Sequence, residues 1–151
     1  MNPVMVRMCQ EKGLEAVVSD ASDYLQNQFE SSIGLITGFH IIEHIGFEVL
    51  FNIAKESKRV LQPGGIVIFE TPNPENILVG SNTFYDDFSH KNPLTPNSVK
   101  FLFEYLGFSE VRIERLNPNL DIKPMEGSGE PVERLNKLLY GPRDFAVIAR
   151  K

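Results

Sequence analysis

Three histidines and a few acidic residues have the types and spacing that could do chemistry in this sequence. His40 and His44 flank Glu43 in the string H-I-I-E-H. Two histidines four apart share a face if the segment turns helically. That spacing can bind a metal, but two ligands are too few and the order is not the HExxH of zinc proteases. No metal is therefore expected. A neutral histidine can instead act as a general base, because its pKa lies near neutrality. Equally, it can hydrogen-bond a loop carbonyl and do no more, and Glu43 can simply pair with a nearby basic side chain. A second group holds Tyr85, Asp86, Asp87 and His90. It offers an acidic–histidine pair, or a turn held by Asp and Ser side chains. Asn73 and Asn76 can hold polar groups, although Thr71-Pro72-Asn73-Pro74 also suffices as a stiff turn. Cys9, Met5 and Met8 read as core residues.

The elements that must position these residues alternate. Asn2 and Pro3 suit a helix start, with Val4, Met8 and Cys9 on one face and Gly13 as a stop. Leu14 to Val18 reads as a short buried strand ending at Ser19-Asp20. A polar helix over 21–28 follows, then a strand over 33–38. From Phe47 the apolar residues Leu50, Phe51, Ala54 and Leu61 make a helical stripe. Pro63-Gly64-Gly65 turns the chain into a strand over 66–69. Residues 72–94 read as a long loop, which in a compact domain is usually functional or disordered. Thr95-Pro96 starts a helix whose buried face is Val99, Leu102, Phe103 and Leu106. Residues 110–114 alternate as on an outer strand. A surface excursion is expected from 117 to 131, a short helix over 132–139, and a central strand over 145–149. The order is α-β-α-β-α-β-loop-α-β-insertion-β, an open three-layer α/β sheet with its ligand face at the strand ends.

Composition sets bounds. The 151 residues suggest one domain over 1–151, with a surface insertion at about 117–143. At 42% hydrophobic and 23% charged, the chain has an ordinary globular balance. A net charge of −5 with no basic run argues against nucleic acid as the main partner. The apolar runs are too short to span a bilayer. One cysteine excludes an internal disulfide, and no secretory signal opens the chain, so the cytoplasm is the expected location.

The segments "NPVMVRMCQEKGLEAVVSDASDYL", "GFHIIEHIGFEVL", "VLQPGGIVIFETPNPEN", "FYDDFSHKNPLTP", "FLFEYLGF" and "LLYGPRDFAVIARK" together resemble the class I S-adenosylmethionine-dependent methyltransferases. The likeness is to bacterial members found with sugar-chain and cell-surface polysaccharide genes. "LQPGG" is common across methyltransferases; the Asn-Pro loop with "FYDDFSHKNPLTP" is more specific. The resemblance implies a Rossmann-like sheet of order 3-2-1-4-5-7-6 with strand 7 antiparallel. Residues 14–18 would be strand 3, 33–38 strand 4, 66–69 strand 5, 109–116 strand 6 and 144–149 strand 7. Strands 1 and 2, with the glycine-rich loop and the ribose-binding acidic residue, have no counterpart. They are expected upstream of Asn2, with Met1 an internal methionine taken as a start.

By the same resemblance the cofactor is S-adenosylmethionine. Asp20, beside Ala21, would accept from the adenine amino group; otherwise it caps the helix that follows. Gly38 would allow close backbone approach, Phe39 would pack on the cofactor, and His40 follows at the strand end. The long loop would cover the acceptor pocket, where Tyr85, His90 and His44 are catalytic candidates, His90 ahead of His44. Asn73, Asn76 and Asp87 would bind the acceptor, a glycan or other small polar molecule with a hydroxyl to methylate. The rival reading is a non-catalytic remnant or adaptor, a half-domain that pairs with another chain. Strand 4 would then leave an uncovered apolar edge. Three outcomes follow: strand 3 pairs with strand 4, strand 3 detaches, or two chains form a homodimer through the edge. A nicotinamide enzyme lacks any dinucleotide fingerprint.

Overall fold

The computed structural model describes residues 2–118 and 123–151. Local signals set most helix starts. Asn2 accepts from the Val4 N–H and Pro3 opens α1 (Pro3–Glu11). Asp20 does the same for Ser22 at the head of α2 (Ala21–Gln26). Thr95 accepts from Ser98 N–H ahead of Pro96 in α5 (Pro96–Tyr105). Each side-chain oxygen satisfies a backbone donor that has no partner inside the helix. The stripe in α3 (Phe47–Val60) buries Leu50, Ile53, Ala54, Ser57 and Val60, one face at helical spacing.

Four strands form one mixed sheet: β1 (Ile33–Phe39), β2 (Leu61–Pro72), β3 (Ser109–Pro118) and β4 (Pro142–Arg150), in the order β1-β2-β4-β3. β1 and β2 are parallel, and β4 lies antiparallel between β2 and β3. This is the 4-5-7-6 portion of the expected order, with strand 7 antiparallel. The Pro63-Gly64-Gly65 turn is absorbed into β2: the ladder passes from Ile33↔Leu61 to Leu35↔Ile66, so 62–65 loop out between paired residues. Gly64 has φ +78°, a conformation that side chains resist.

The core joins α2, α3 and α5 to the sheet. Val67, Phe69, Phe145 and Val147 pack with Leu50, Ile53, Val99 and Phe103. Phe103 is fully buried, edge-on to Phe69 at 6.0 Å and tilted against Phe108 at 5.1 Å. Arg59 of α3 donates to the carbonyls of Leu25 and Gln28, both at 3.0 Å, so a cation closes the end of α2.

Four expectations need correction. Residues 14–18 form no strand, and Leu14, Val17 and Val18 are exposed. A strand needs a ladder partner, and among the described residues the strands that would flank this segment are absent. Of the three outcomes, pairing of this segment with β1 is not adopted: residues 14–18 join no ladder among the described residues. The face of Val4, Met8 and Cys9 is likewise not core: α1 buries no residue. The loop over 72–94 carries a short helix, α4 (Ile77–Ser81), and a 3₁₀ turn over Thr83–Asp86. The excursion after β3 is shorter than expected, because α6 (Glu130–Tyr140) starts two residues before the predicted helix and β4 begins at Pro142. Its residues 119–122 lie outside the described residues; 123–129 are exposed.

Candidate functional site

The carboxyl end of β1 is where the polar side chains gather. The chain leaves the strand through His40, whose φ of +51° is rare for a residue with a Cβ. Its N–H donates to the Glu70 carbonyl at 2.9 Å, which holds the sharp exit against β2. A 3₁₀ turn over Ile42–His44 then buries Glu43 completely. A buried carboxylate must find partners. The Glu43 Oε2 accepts from the Thr71 hydroxyl at 3.0 Å. The Glu43 Oε1 lies 3.2 Å from His40 Nδ1 and 3.9 Å from His44 Nε2. Glu43 is therefore the centre of the cluster, not a bystander. The sequence signal was present, a carboxylate between two histidines just after a strand, but burial decides its importance.

The second group closes on the first. Lys91 N–H donates to the Glu43 carbonyl at 2.8 Å and ties the 84–94 segment down. This brings His90 beside His44, with ring centroids 4.6 Å apart. His90 Nδ1 lies 2.6 Å from the Phe84 carbonyl, so it carries the proton and donates. Ser89 Oγ donates to Asp87 Oδ1 at 2.6 Å, and therefore accepts from His44 Nδ1 at 2.9 Å. Each of these two histidines thus has its Nδ1 proton engaged, which in the neutral ring leaves the lone pair on Nε2, tautomers assigned from the hydrogen-bond partners. The Ser89 hydroxyl and N–H, both donating to Asp87, hold that exposed carboxyl below the usual range. Ser89 and Thr71 were not singled out from sequence; a serine or threonine carries no spacing signal of its own.

Beside the cluster a cleft of about 540 Å³ opens between the 15–25 segment and β1, with Val17, Ser19, Ala21, Leu25, Gly38 and Ile42 among its walls. Ala21 and Gly38 both line it. Gly38, however, is not kept bare for a ligand: a Cβ would sit 2.6 Å from the Phe69 ring, so the phenyl group occupies that space. Asp20 caps α2 through one oxygen. Phe39 and His40 are exposed at the strand end. Tyr85 is exposed, edge-on to Phe84, and no hydrogen bond joins it to the histidines. Asn73 and Asn76 are buried with their amides engaged. They donate to the Pro142 and Gly141 carbonyls and accept from backbone N–H groups at the start of α4. Those bonds are the ones the stiff-turn alternative requires. A separate cleft beside α6 holds Glu75 and Arg115, whose paired bonds at 2.7 and 2.9 Å lower the Glu75 pKa.

Comparison with known proteins fits this geometry. An S-adenosylmethionine-dependent methyltransferase from Archaeoglobus fulgidus matches with a TM-score of 0.89 and 31% identity, over 99% of this chain and 73% of that one. A probable S-adenosylmethionine-dependent methyltransferase of Mycolicibacterium smegmatis is 32% identical over 79 residues, 52% of this chain. The match spans only 30% of the length of that relative. Phosphoethanolamine N-methyltransferase 2 of Haemonchus contortus, solved with S-adenosyl-L-methionine, shares the fold, with a TM-score of 0.54 and 15% identity over 87% of this chain and 36% of that one. No protein-family model matches. The sheet order and these likenesses define a Rossmann-like α/β methyltransferase fold. The chain belongs to the S-adenosylmethionine-dependent methyltransferases. Among the described residues, no helix is long and apolar enough to cross a membrane.

Proposed function

We propose that this chain binds S-adenosylmethionine in the cleft beside β1 and serves an enzyme that methylates a hydroxyl or other polar group of a glycan or small-molecule acceptor. One observation carries the reading: Ile41 and Ile42 line the cleft, and the next two residues, Glu43 and His44, open the polar cluster. Reactive methyl and proton acceptor would then be neighbours. The cleft suits the nucleoside part of the cofactor, with the apolar walls Val17, Leu25 and Ile42 for a flat base and Ser19 for a polar edge. These residues would hold the cofactor, whose sulfonium would supply an electrophilic methyl for in-line displacement, the sulfur departing as a neutral thioether. The chain's own part is to hold the acceptor hydroxyl and take its proton. A bare histidine Nε2 is the group for it, and Asp87 through Ser89 fixes the His44 ring in the tautomer required.

The first test is calorimetric titration of S-adenosylmethionine into this chain. Saturable binding at one site is expected, followed by transfer of labelled methyl to a panel of glycosides and small alcohols. No binding would overturn the reading for this chain.

The uncovered strand supports a second reading, a half-domain that pairs with another copy. Among the described residues β1 has a ladder partner on one side only, and Leu35 and Phe39 are 56% and 57% exposed. Such an edge is normally covered. Sedimentation equilibrium is expected to give a dimer that Leu35→Lys dissociates. A monomer at every concentration would remove this reading.

A further inference from the structure

We propose that Glu43, His44 and His90 form a binding site for a divalent transition-metal cation. The three residues each offer a ligand atom, and these lie within 4.8 Å of one another. In sequence the histidine spacing supplies two ligands and no third; the fold supplies the third from 46 positions beyond His44.

The argument rests on where the protons are. His44 Nδ1 donates to Ser89, which is itself held by Asp87. His90 Nδ1 donates to the Phe84 carbonyl. In the neutral rings both remaining nitrogens carry lone pairs, and His44 Nε2 stands 3.9 Å from the Glu43 Oε1. Lone pairs and a fully buried carboxylate converging on one space repel one another unless a proton or a metal cation sits among them, and two ring nitrogens with a carboxylate are the donors a metal takes. His40 Nδ1 offers Oε1 one donor at 3.2 Å, but it does nothing for the two histidines.

The surroundings are those of a metal site. Ligating histidines usually donate their second N–H to a carbonyl or carboxylate, which fixes the ring and the tautomer. Both histidines here do so, His90 directly and His44 through Ser89. The Thr71 hydroxyl orients the carboxylate from the far side. A cation at about 2.1 Å from each ligand needs the ligand atoms about 3–4 Å apart, so closure by about 1 Å completes the set. Two imidazoles and one carboxylate suit zinc, cobalt or manganese better than calcium or magnesium. Three protein ligands leave positions open. A cation on His44 Nε2 would occupy the lone pair that the methyl-transfer reading gives to the base, so with the metal bound the open positions would hold the acceptor's oxygens and the proton would leave by another route. That use rests on the methyl-transfer reading above; the binding of the cation does not.

The test is titration of Zn²⁺ into the chelator-treated chain by calorimetry, with Co²⁺ absorption as an independent report of nitrogen ligation. One cation per chain is expected, weakened at least about 100-fold by His90→Gln and by Glu43→Gln and little changed by His40→Gln. Imidazole NMR signals of the wild type provide a readout that needs no variant: Zn²⁺ should shift His44 and His90. No binding overturns the proposal. So does binding that survives His90→Gln, or that is lost with Asp144→Asn instead, since His40, Glu70 and Asp144 are a second group of similar spacing. Titration of S-adenosylmethionine with and without Zn²⁺ separates the two readings. Cofactor binding without any metal site leaves the methyltransferase reading standing alone, and metal binding without cofactor binding does the reverse.

Discussion

Phe103→Ala is expected to destabilise the chain by about 3–5 kcal/mol, the range for removing a buried phenyl group. Nothing near it is free to fill the space. Phe103 has no exposed surface, and its neighbours Phe69 and Phe108 are themselves held, Phe69 by the close approach of Gly38. Against a total stability of about 5–15 kcal/mol the loss is a large fraction. For a chain of this size it corresponds to a fall in melting temperature of about 10 °C, readable by calorimetry. The effect should reach the cleft, because Phe69 lines it and leans on Phe103. Phe103→Leu, which keeps much of the volume, should cost less than about 1.5 kcal/mol. Equal losses for the two variants would mean that the aromatic contacts, not the filled space, hold this part of the core.

His44→Ala is expected to lower methyl transfer by about 100-fold or more, the usual contribution of a positioned acid–base group. S-adenosylmethionine affinity should stay within about twofold, since His44 is not among the cleft walls and the loss falls on the chemical step. The fold should survive, because the side chain is only half-buried and its one hydrogen bond, to Ser89, is exposed. Labelled-methyl transfer at saturating cofactor reads the outcome. A variant with unchanged turnover would remove His44 from the chemistry and leave the cluster a structural one. A variant that lost cofactor binding as well would place the histidine in the wrong site.

How much of this was legible in the sequence depends on the range of the interaction. Helix starts were legible because a cap is made by residues two or three apart, as Asn2, Asp20 and Thr95 show. The four strands and their order followed from periodicity and from resemblance, and both rest on residues this chain contains. Asp20, Asn73 and Asn76 were each given two readings. The structure engages the two asparagines with the turn, since Gly141 and Pro142, far along the chain, present carbonyls to their amides.

What failed was non-local. Residues 14–18 have the composition of a strand, yet extended backbone becomes a strand only when a neighbour completes its hydrogen bonds. The apolar face of α1 failed in the same way, with no layer to cover it. The site shows the division most clearly. The sequence by itself determined that histidines and a glutamate follow β1, and that a third histidine lies in a polar loop. Only the tertiary structure decided that Glu43 is buried, that Lys91 pins the loop to its carbonyl, and that His90 therefore meets His44. Burial and long-range contact are properties of the packed chain, and no spacing along it encodes them.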